Sequence, residues 1–398
     1  MLRFLPFAIL LFLVDLMAFQ AVKTVFGTGA MVYGVYWGFS ALLFLGFLIA
    51  AFVGRQNMPR WAMLYFPPVV MASFFGKLLV DILLLGEDIV RGIQLLVTSD
   101  TSPERSAVWS AIALITAGVP FLLLCYGMIR NAYNFEVRHI NIGLPNLPQA
   151  FKGMRIVQIS DIHSGSLTRP EPVKEAVDMI NRLDADVIFF TGDLVNLVAT
   201  EVEPYIPVFS KLKAKHGVYS ITGNHDYGDY VAWQSAEQKA ANFKLFIDMH
   251  KRLGWRLLMN EHERIRVDGE EIAVIGIENW SAKGNFSRYG NLAKAYQGAE
   301  DAPVKLLLSH DPSHWKAEVI EQYADIDVMF AGHTHGFQFG FEIGKWKWSP
   351  GQYVYREWAG LYQKAHQYLY VNRGFGYTFY PGRVGMLPEI SVFTLDQK

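Results

Sequence analysis

The stretch MRIVQISDIH, residues 154–163, reads as a short strand that runs straight into two metal-type ligands. Met154–Ser160 is apolar and rich in β-branched residues, and Asp161 and His163 follow it at once. Four further apolar runs close in the same manner. FFTG leads into Asp193, SITG into Asn224, His225 and Asp226, LLLS into His310 and Asp311, and MFAG into His333 and His335. Strands that end on one edge of a sheet bring their following loops together there. Residues far apart in the chain are therefore expected to form one cluster of carboxylates, imidazoles and an amide. Such a set, without thiolates, suits Mn²⁺, Fe or Zn²⁺ in a hydrolytic site. Glycines before Asp193, Asn224 and His333 permit tight turns and close approach. All eleven histidines lie after residue 138, and five of them fall in these strand-end motifs.

Outward from this stretch the pattern is one of short strands alternating with helices. Further strands are expected at Val187–Thr191, Val218–Thr222, Ile272–Ile277, Val304–Ser309, Val328–Ala331, Tyr368–Asn372 and Ile390–Leu395, with an opening strand in Tyr133–Ile142. Helices are expected at Glu171–Leu183, Glu203–Lys213, Asp229–Leu253 and Ser313–Tyr323. Pro170 and Pro172 suit the first helical turn, where a missing N–H does no harm. The alternation predicts an α/β domain of layered sheets with outer helices.

The first third differs in texture. The chain of 398 residues is 52% hydrophobic and 18% charged, and the apolar excess is concentrated before residue 130. Four runs there, Phe4–Val22, Ala30–Val53, Trp61–Leu85 and Ala107–Ile129, match the roughly 20 residues that a membrane-spanning helix needs. A cleaved leader is the rival reading of the first run, but no A-x-A site follows it. Polar links are expected at Lys23–Gly29, Gly54–Arg60 and Gly86–Ser106. The division predicted is a four-helix transmembrane region over 1–130 and a catalytic domain over 131–398. Within the apolar runs, Asp15, Lys77 and Asp81 are ionisable, and Lys77 and Asp81, four apart, are expected to pair on one helix face. Arg3, Arg55, Arg60, Arg130 and Arg138 outweigh Lys23, Arg91 and Arg105 on the other side of the spans. The positive-inside rule then puts both ends, and the catalytic domain, on the cytosolic face of the inner membrane.

The formal net charge of -1 gives no global basic excess and argues against a nucleic-acid partner. The single cysteine, Cys125, excludes an intramolecular disulfide.

The order D-x-H, GD, GNHD, H and GHTH resembles the calcineurin-like metallophosphoesterase superfamily. The closing segment YVNRGFGYTFYPGRVGMLPEISVFTL, residues 370–395, is similar to a bacterial membrane-associated branch that includes hydrolases of UDP-diacylglucosamine. Many members carry a bulky apolar residue where Ser164 stands. The resemblance implies a four-layer α-β-β-α sandwich and two divalent cations, with Mn²⁺ the first choice and Fe or Zn²⁺ the alternatives. It implies that Asp161, His163 and His335 hold one ion, that Asn224, His310 and His333 hold the other, and that Asp193 bridges them. A water activated between the ions would attack phosphorus, with His225 as general acid and Asp226 orienting its ring.

The chemistry expected is hydrolysis of a phosphoester or pyrophosphate bond in a lipid or nucleotide-lipid. A general membrane-anchored phosphodiesterase is the first alternative. The second is a membrane sensor or transporter with a regulatory metal domain. Trp346, Trp348, Tyr353, Tyr355 and Trp358, among Lys345, Lys347 and Arg356, form a loop suited to lean on a bilayer. Arg373 and Arg383 are candidates to meet substrate phosphate.

Overall fold

The computed structural model describes residues 5–53, 58–98, 103–284, 286–344 and 346–398. Arg3, Phe4, Arg55 and Lys345, named above, lie outside the described residues. The chain divides into two compact units, Met1–Ile129 and Arg130–Lys398.

The first unit holds α1 (Leu5–Phe26), α2 (Ala30–Val53), α3 (Arg60–Val97) and α4 (Ala107–Ile129). All four are long and apolar enough to cross a membrane. Large side chains such as Phe12, Leu42, Phe75 and Leu122 are exposed, so the helices turn grease outward instead of a polar stripe. Inward, Ala18, Ala21, Val80, Leu84, Ala113 and Ala117 pack together, and the small residues let α1, α3 and α4 approach closely.

Two expectations are corrected here. The link expected over Gly86–Ser106 is helical as far as Val97. Arg105 donates to Glu87 at 2.9 Å, and Arg91 donates to Asp88 at 2.9 Å and to the Pro103 carbonyl, so the acids extend the helix with partners in hand. At 38 residues α3 is about 57 Å long, against about 30 Å of hydrocarbon in a bilayer. Second, Lys77 pairs with Asp15 of α1 and not with Asp81. Helical side chains lean toward the N-terminus, so the Lys77 stem reaches away from a carboxylate four residues downstream.

The second unit is built on two six-stranded sheets among the described residues. Its strands are β1 (Glu136–Leu144), β2 (Arg155–Ile159), β3 (Val187–Phe190), β4 (Val218–Ser220), β5 (Arg256–Leu257), β6 (Glu261–Val267), β7 (Glu270–Gly276), β8 (Lys305–Leu308), β9 (Val328–Ala331), β10 (Phe341–Ile343), β11 (Trp346–Trp348), β12 (Gly360–Lys364), β13 (Gln367–Val371) and β14 (Glu389–Gln397). One sheet runs β1-β14-β2-β3-β4-β5 and the other β12-β13-β9-β8-β7-β6, while β10 and β11 form a separate hairpin. Strands β2 to β5 are mutually parallel, as are β7, β8, β9 and β13.

The sheets face each other across Ile156, Phe189, Leu306, Phe330 and Phe393, a fully buried apolar layer. The outer face of the first sheet packs against α5 (Pro170–Arg182) and the helix Ala236–Leu253 through Val177, Ile180, Phe246 and Met249. The outer face of the second packs against Leu292, Ala295, Trp315 and Val319. This is the layered α/β fold that the alternating pattern predicted. Parallel strands order their carboxyl ends alike, so the loops after β2, β3 and β4 and those after β8 and β9 share one edge of the sandwich.

The helix expected over Glu203–Lys213 shrinks to a 3-10 segment, Ala199–Tyr205, and a single turn, Ile206–Phe209. Pro204 and Pro207 withdraw the N–H groups that a longer helix needs. The helix expected from Asp229 begins at Ala236, where the Ser235 hydroxyl accepts the Gln238 N–H.

Within this layer His250 is fully buried as a neutral ring, its Nδ1–H donating to the Phe246 carbonyl and its Nε2 accepting from Ser220 Oγ at 2.9 Å. Burial pushes its pKa down from 6.5 to about 4. Between those values the unfolded chain binds the extra proton and the folded chain does not, so stability is lost as pH falls through that window. In denaturant titrations, His250→Gln should lose about 3 kcal/mol less than the wild type between about pH 7 and pH 4. Equal losses would contradict the assignment.

Candidate metal centre

Three of the five strand-end motifs turn sharply as they leave their sheets. Asp161, His163, Asp193, His333 and His335 all adopt positive φ, at 52°, 46°, 60°, 71° and 53°. A left-handed backbone is uncommon outside glycine, costs of order 1 kcal/mol or more per residue, and persists where the surroundings impose it. Here the turns aim side chains at one point. Glycine is required beside them: a Cβ on Gly223 would collide with the Asp193 carboxylate, and one on Gly332 with Ser160 and the Asp161 carboxylate.

The seven side chains named as ligands meet at the shared sheet edge. His163 Nε2 stands 3.0 Å from His335 Nε2, and His335 Nε2 stands 3.3 Å from Asp161 Oδ1. Asp193 Oδ2 lies 3.2 Å from His310 Nε2 and 3.6 Å from His163 Nε2, between the two halves of the cluster. His333 Nδ1 lies 2.8 Å from Asn224 Oδ1 and 3.3 Å from His310 Nε2. Two groups, Asp161–His163–His335 and Asp193–His310–His333, each bring three ligand atoms within 4.8 Å of one another. A third, His163–Asp193–His225, links them. Facing ring nitrogens at such distances share little attraction by themselves, and a cation is what this donor set suits.

The electrostatics agree. Burial presses the His163 and His333 rings below the ordinary imidazole range and keeps their lone pairs available. Burial works to raise the Asp193 carboxyl, but His310 and His225 outweigh it and hold it well below the usual carboxylate range. Burial likewise opposes charge on His310, yet Asp193 and Asp161 push that ring up to about 10. The cluster therefore holds its carboxylates ionised.

His225 sits at the rim, half exposed, with its ring edge-on to His163 at 4.9 Å. Its Nδ1 is fixed on the Asn196 carbonyl at 2.7 Å, and its backbone N–H donates to Asp193 Oδ1. Asp226 does not orient that ring as expected. Its fully buried carboxylate accepts the backbone N–H groups of Asp193, Leu194, Val195 and Gly223 instead. It clamps the β3 loop to the β4 loop, because four buried donors outcompete one imidazole for it.

Arg373 and Arg383 are likewise committed. Arg373 pairs with Glu389 at 2.6 Å and with Glu342 at 2.5 Å. Arg383, fully buried, donates to the carbonyls of Arg373, Gly374 and His335, fixing the loop that carries His335. Neither is free to meet a phosphate.

Several neighbours had no motif to announce them. The Tyr355 hydroxyl lies 2.8 Å from His333 Nε2 and 3.2 Å from Asp311 Oδ2. The Tyr230 hydroxyl accepts from Asn224 Nδ2 at 2.8 Å, and its ring lies against His225 at 4.6 Å. Tyr230 follows Asn224 by six positions and was legible only as part of GNHDYGDY.

Residues 154–337 match the calcineurin-like phosphoesterase family, and residues 2–132 match a family described as "Probable Calcineurin-like phosphoesterase, transmembrane domain". The chain belongs to the calcineurin-like metallophosphoesterases and carries a transmembrane domain. Among its relatives, the uncharacterized metallophosphoesterase YkuE of Bacillus subtilis is 32% identical over 253 residues, 63% of this chain and 81% of the relative. The transmembrane protein with metallophosphoesterase domain of Danio rerio is 30% identical over 297 residues, 72% of this chain. The chain spans 63% of the length of that relative.

Proposed function

We propose that this chain hydrolyses a phosphoester or pyrophosphate bond in a lipid or nucleotide-lipid, working at the cytosolic face of the inner membrane as a multi-pass protein. In this reading residues 1–130 are the membrane region and 131–398 the catalytic domain. The carrying observation is the convergence of seven N and O donors from five strand ends on one sheet edge. Asp161, His163 and His335 would hold one divalent cation and Asn224, His310 and His333 a second, with Asp193 shared between them; Mn²⁺ is the first choice. When bound, such a pair supplies a water deprotonated near neutral pH and positive charge for the phosphoryl oxygens.

The chain's own groups do the rest. His225 delivers a proton to the leaving oxygen. Its Nδ1 is occupied by the Asn196 carbonyl, which leaves Nε2 for that task. Asp226 keeps the β3 and β4 loops in register and so positions Asp193 and His225 together. Tyr355 and Tyr230 steady His333 and Asn224 from outside the cluster.

An amphiphilic substrate is supported by the surface of the β10–β11 hairpin. Ile343 and Trp346 are 73% and 80% exposed, and Tyr353 and Phe379 are 78% and 91% exposed. Rings and aliphatic side chains displayed in this way suit a headgroup layer. Of the others expected to share that role, Tyr355 and Trp358 are buried and Trp348 is half-buried. Trp348 stacks on Phe341 at 5.9 Å, and Tyr355 faces His333.

The test is a substrate panel with Mn²⁺: phospholipids and UDP-acyl-sugars in vesicles against p-nitrophenyl mono- and diesters. Lipid substrates should show the higher kcat/KM. Joint replacement of Ile343 and Trp346 by Ser should lower turnover in vesicles by about tenfold, as expected if the two side chains are only partly buried in the headgroup layer, and spare the soluble esters. Equal losses on both, or a preference for the soluble diester, would favour a general membrane-anchored phosphodiesterase.

A further inference from the structure

Helices α1, α2 and α3 enclose a cavity of about 240 Å³ that is distinct from the metal centre in composition and residues. Most of its wall is apolar, including Trp37, Phe44 and Phe74. One part is polar: Asp15, Ser40 and Lys77 line it together. Lys77 donates to Asp15 and, at 2.9 Å, to Ser40 Oγ, and Ser40 donates to Asp15 Oδ1 at 2.7 Å. One ion pair between α1 and α3, together with the Ser40 hydroxyl of α2, thus joins three helices inside segments long and apolar enough to cross a membrane.

This pair is not sealed, since each side chain keeps 16% of its surface accessible. Its hydrogen-bonding capacity is also unfilled. An ammonium has three N–H donors, and Lys77 spends two on Asp15 and Ser40. Among the described residues the third faces only the Tyr36 and Phe39 rings, at 5.4 and 5.8 Å from the ring centroids. Asp15 Oδ2 accepts from no donor among the described residues, because Tyr36, Ser40 and Lys77 all address Oδ1 or the backbone carbonyl. Charge and hydrogen bonding therefore ask for different things. The charges of Asp15 and Lys77 cancel, and Asp81, the further acid within electrostatic reach of both, is buried outside the cavity wall, so a ligand bringing net charge would meet no counter-ion among the residues that line the cavity. What the polar end lacks is one donor and one acceptor, side by side.

We propose that this cavity binds a long-chain alcohol, a single apolar chain ending in an uncharged hydroxyl. The hydroxyl donates to Asp15 Oδ2 and accepts from Lys77, and the chain lies along Trp37, Phe44 and Phe74. The proposal stands independently of the catalytic reading, because it uses no residue of the metal centre.

The experiment uses the full chain in phospholipid nanodiscs, with a diazirine-bearing derivative of dodecanol as probe and peptide mapping as readout. Label should fall on α1, α2 and α3. Excess dodecanol should suppress it by about fivefold, the worth of one or two hydrogen bonds, whereas dodecanoate, dodecyl phosphate and dodecyltrimethylammonium should not. Ala41→Trp, which fills the cavity, should reduce labelling by a similar factor and leave hydrolysis of a soluble p-nitrophenyl diester unchanged. Ser40→Ala, which removes none of the proposed contacts and frees a further Lys77 donor, should keep competition by dodecanol at least at the wild-type level, and its loss there would overturn the proposal. Labelling spread evenly along the lipid-facing helix surfaces, or suppressed equally by the charged chains, would overturn the proposal.

Discussion

Asp193→Asn is expected to lower kcat/KM by on the order of 1,000-fold or more, since it weakens both halves of the cluster at once. Its carboxylate lies 3.2 Å from His310 Nε2 and 3.6 Å from His163 Nε2, so it is the one side chain placed to serve both proposed ions. Asparagine keeps the shape and an oxygen for the His225 N–H but removes the charge that offsets two cations. The fold should survive, because the clamp between the β3 and β4 loops belongs to Asp226 and not to Asp193. Steady-state kinetics on a soluble diester, paired with circular dichroism, check this. Activity within about tenfold of wild type in a folded variant would show that Asp193 is not shared between ions.

The second large effect concerns His225. His225→Gln should cost about 100- to 10,000-fold in kcat, the range for losing a general acid, while metal content stays at the wild-type level. A proton donor matters most when the leaving oxygen is basic. The deficit should therefore be large for an alkyl ester and much smaller for a p-nitrophenyl ester, whose leaving group departs without help. The same loss on both would reduce His225 to a group that orients the substrate. Asp226→Asn makes a useful contrast. It disturbs a carboxylate that accepts four buried backbone N–H groups, so its main effect should be on the melting temperature and not on the dependence on leaving group.

The sequence disclosed those parts of the molecule in which local pattern and tertiary position coincide. Val328–Ala331 and Val187–Phe190 are continuous apolar runs because parallel strands inside a sandwich are covered on both faces. The polar residue that ends each run could be read as a ligand because parallel strands bring the loops that follow them to one edge. Edge elements were harder. β6, EHERIRV, carries charges along most of its length and has few apolar residues to mark it; its Arg264 is held by Glu271 and Asp301. Its strand character comes from the hairpin it forms with β7 across Asp268–Gly269, a pairing that its own run of charged residues does not record.

Contacts between distant groups failed for a related reason. Proximity in the chain suggested that Asp226 would serve His225 and that Asp81 would serve Lys77. In each case a partner remote in sequence was better placed: the β3-loop amides for Asp226, Asp15 for Lys77 and the Asn196 carbonyl for His225. Arg373 and Arg383 looked like phosphate ligands by residue type. Their burial among Glu389, Glu342 and loop carbonyls follows from how β13 and β14 and the loop between them fold back on the β9 loop, which no local pattern records.

In the proposed function these strand ends hold two divalent cations. Loading the purified full chain with Mn²⁺, removing excess metal and counting ions per chain by plasma mass spectrometry tests it most directly. The account predicts close to two manganese ions per wild-type chain and close to one in His335→Ala, which disables only the Asp161–His163–His335 group. A folded wild-type chain that retains one ion or none under saturating Mn²⁺, Fe²⁺ and Zn²⁺ alike would contradict it.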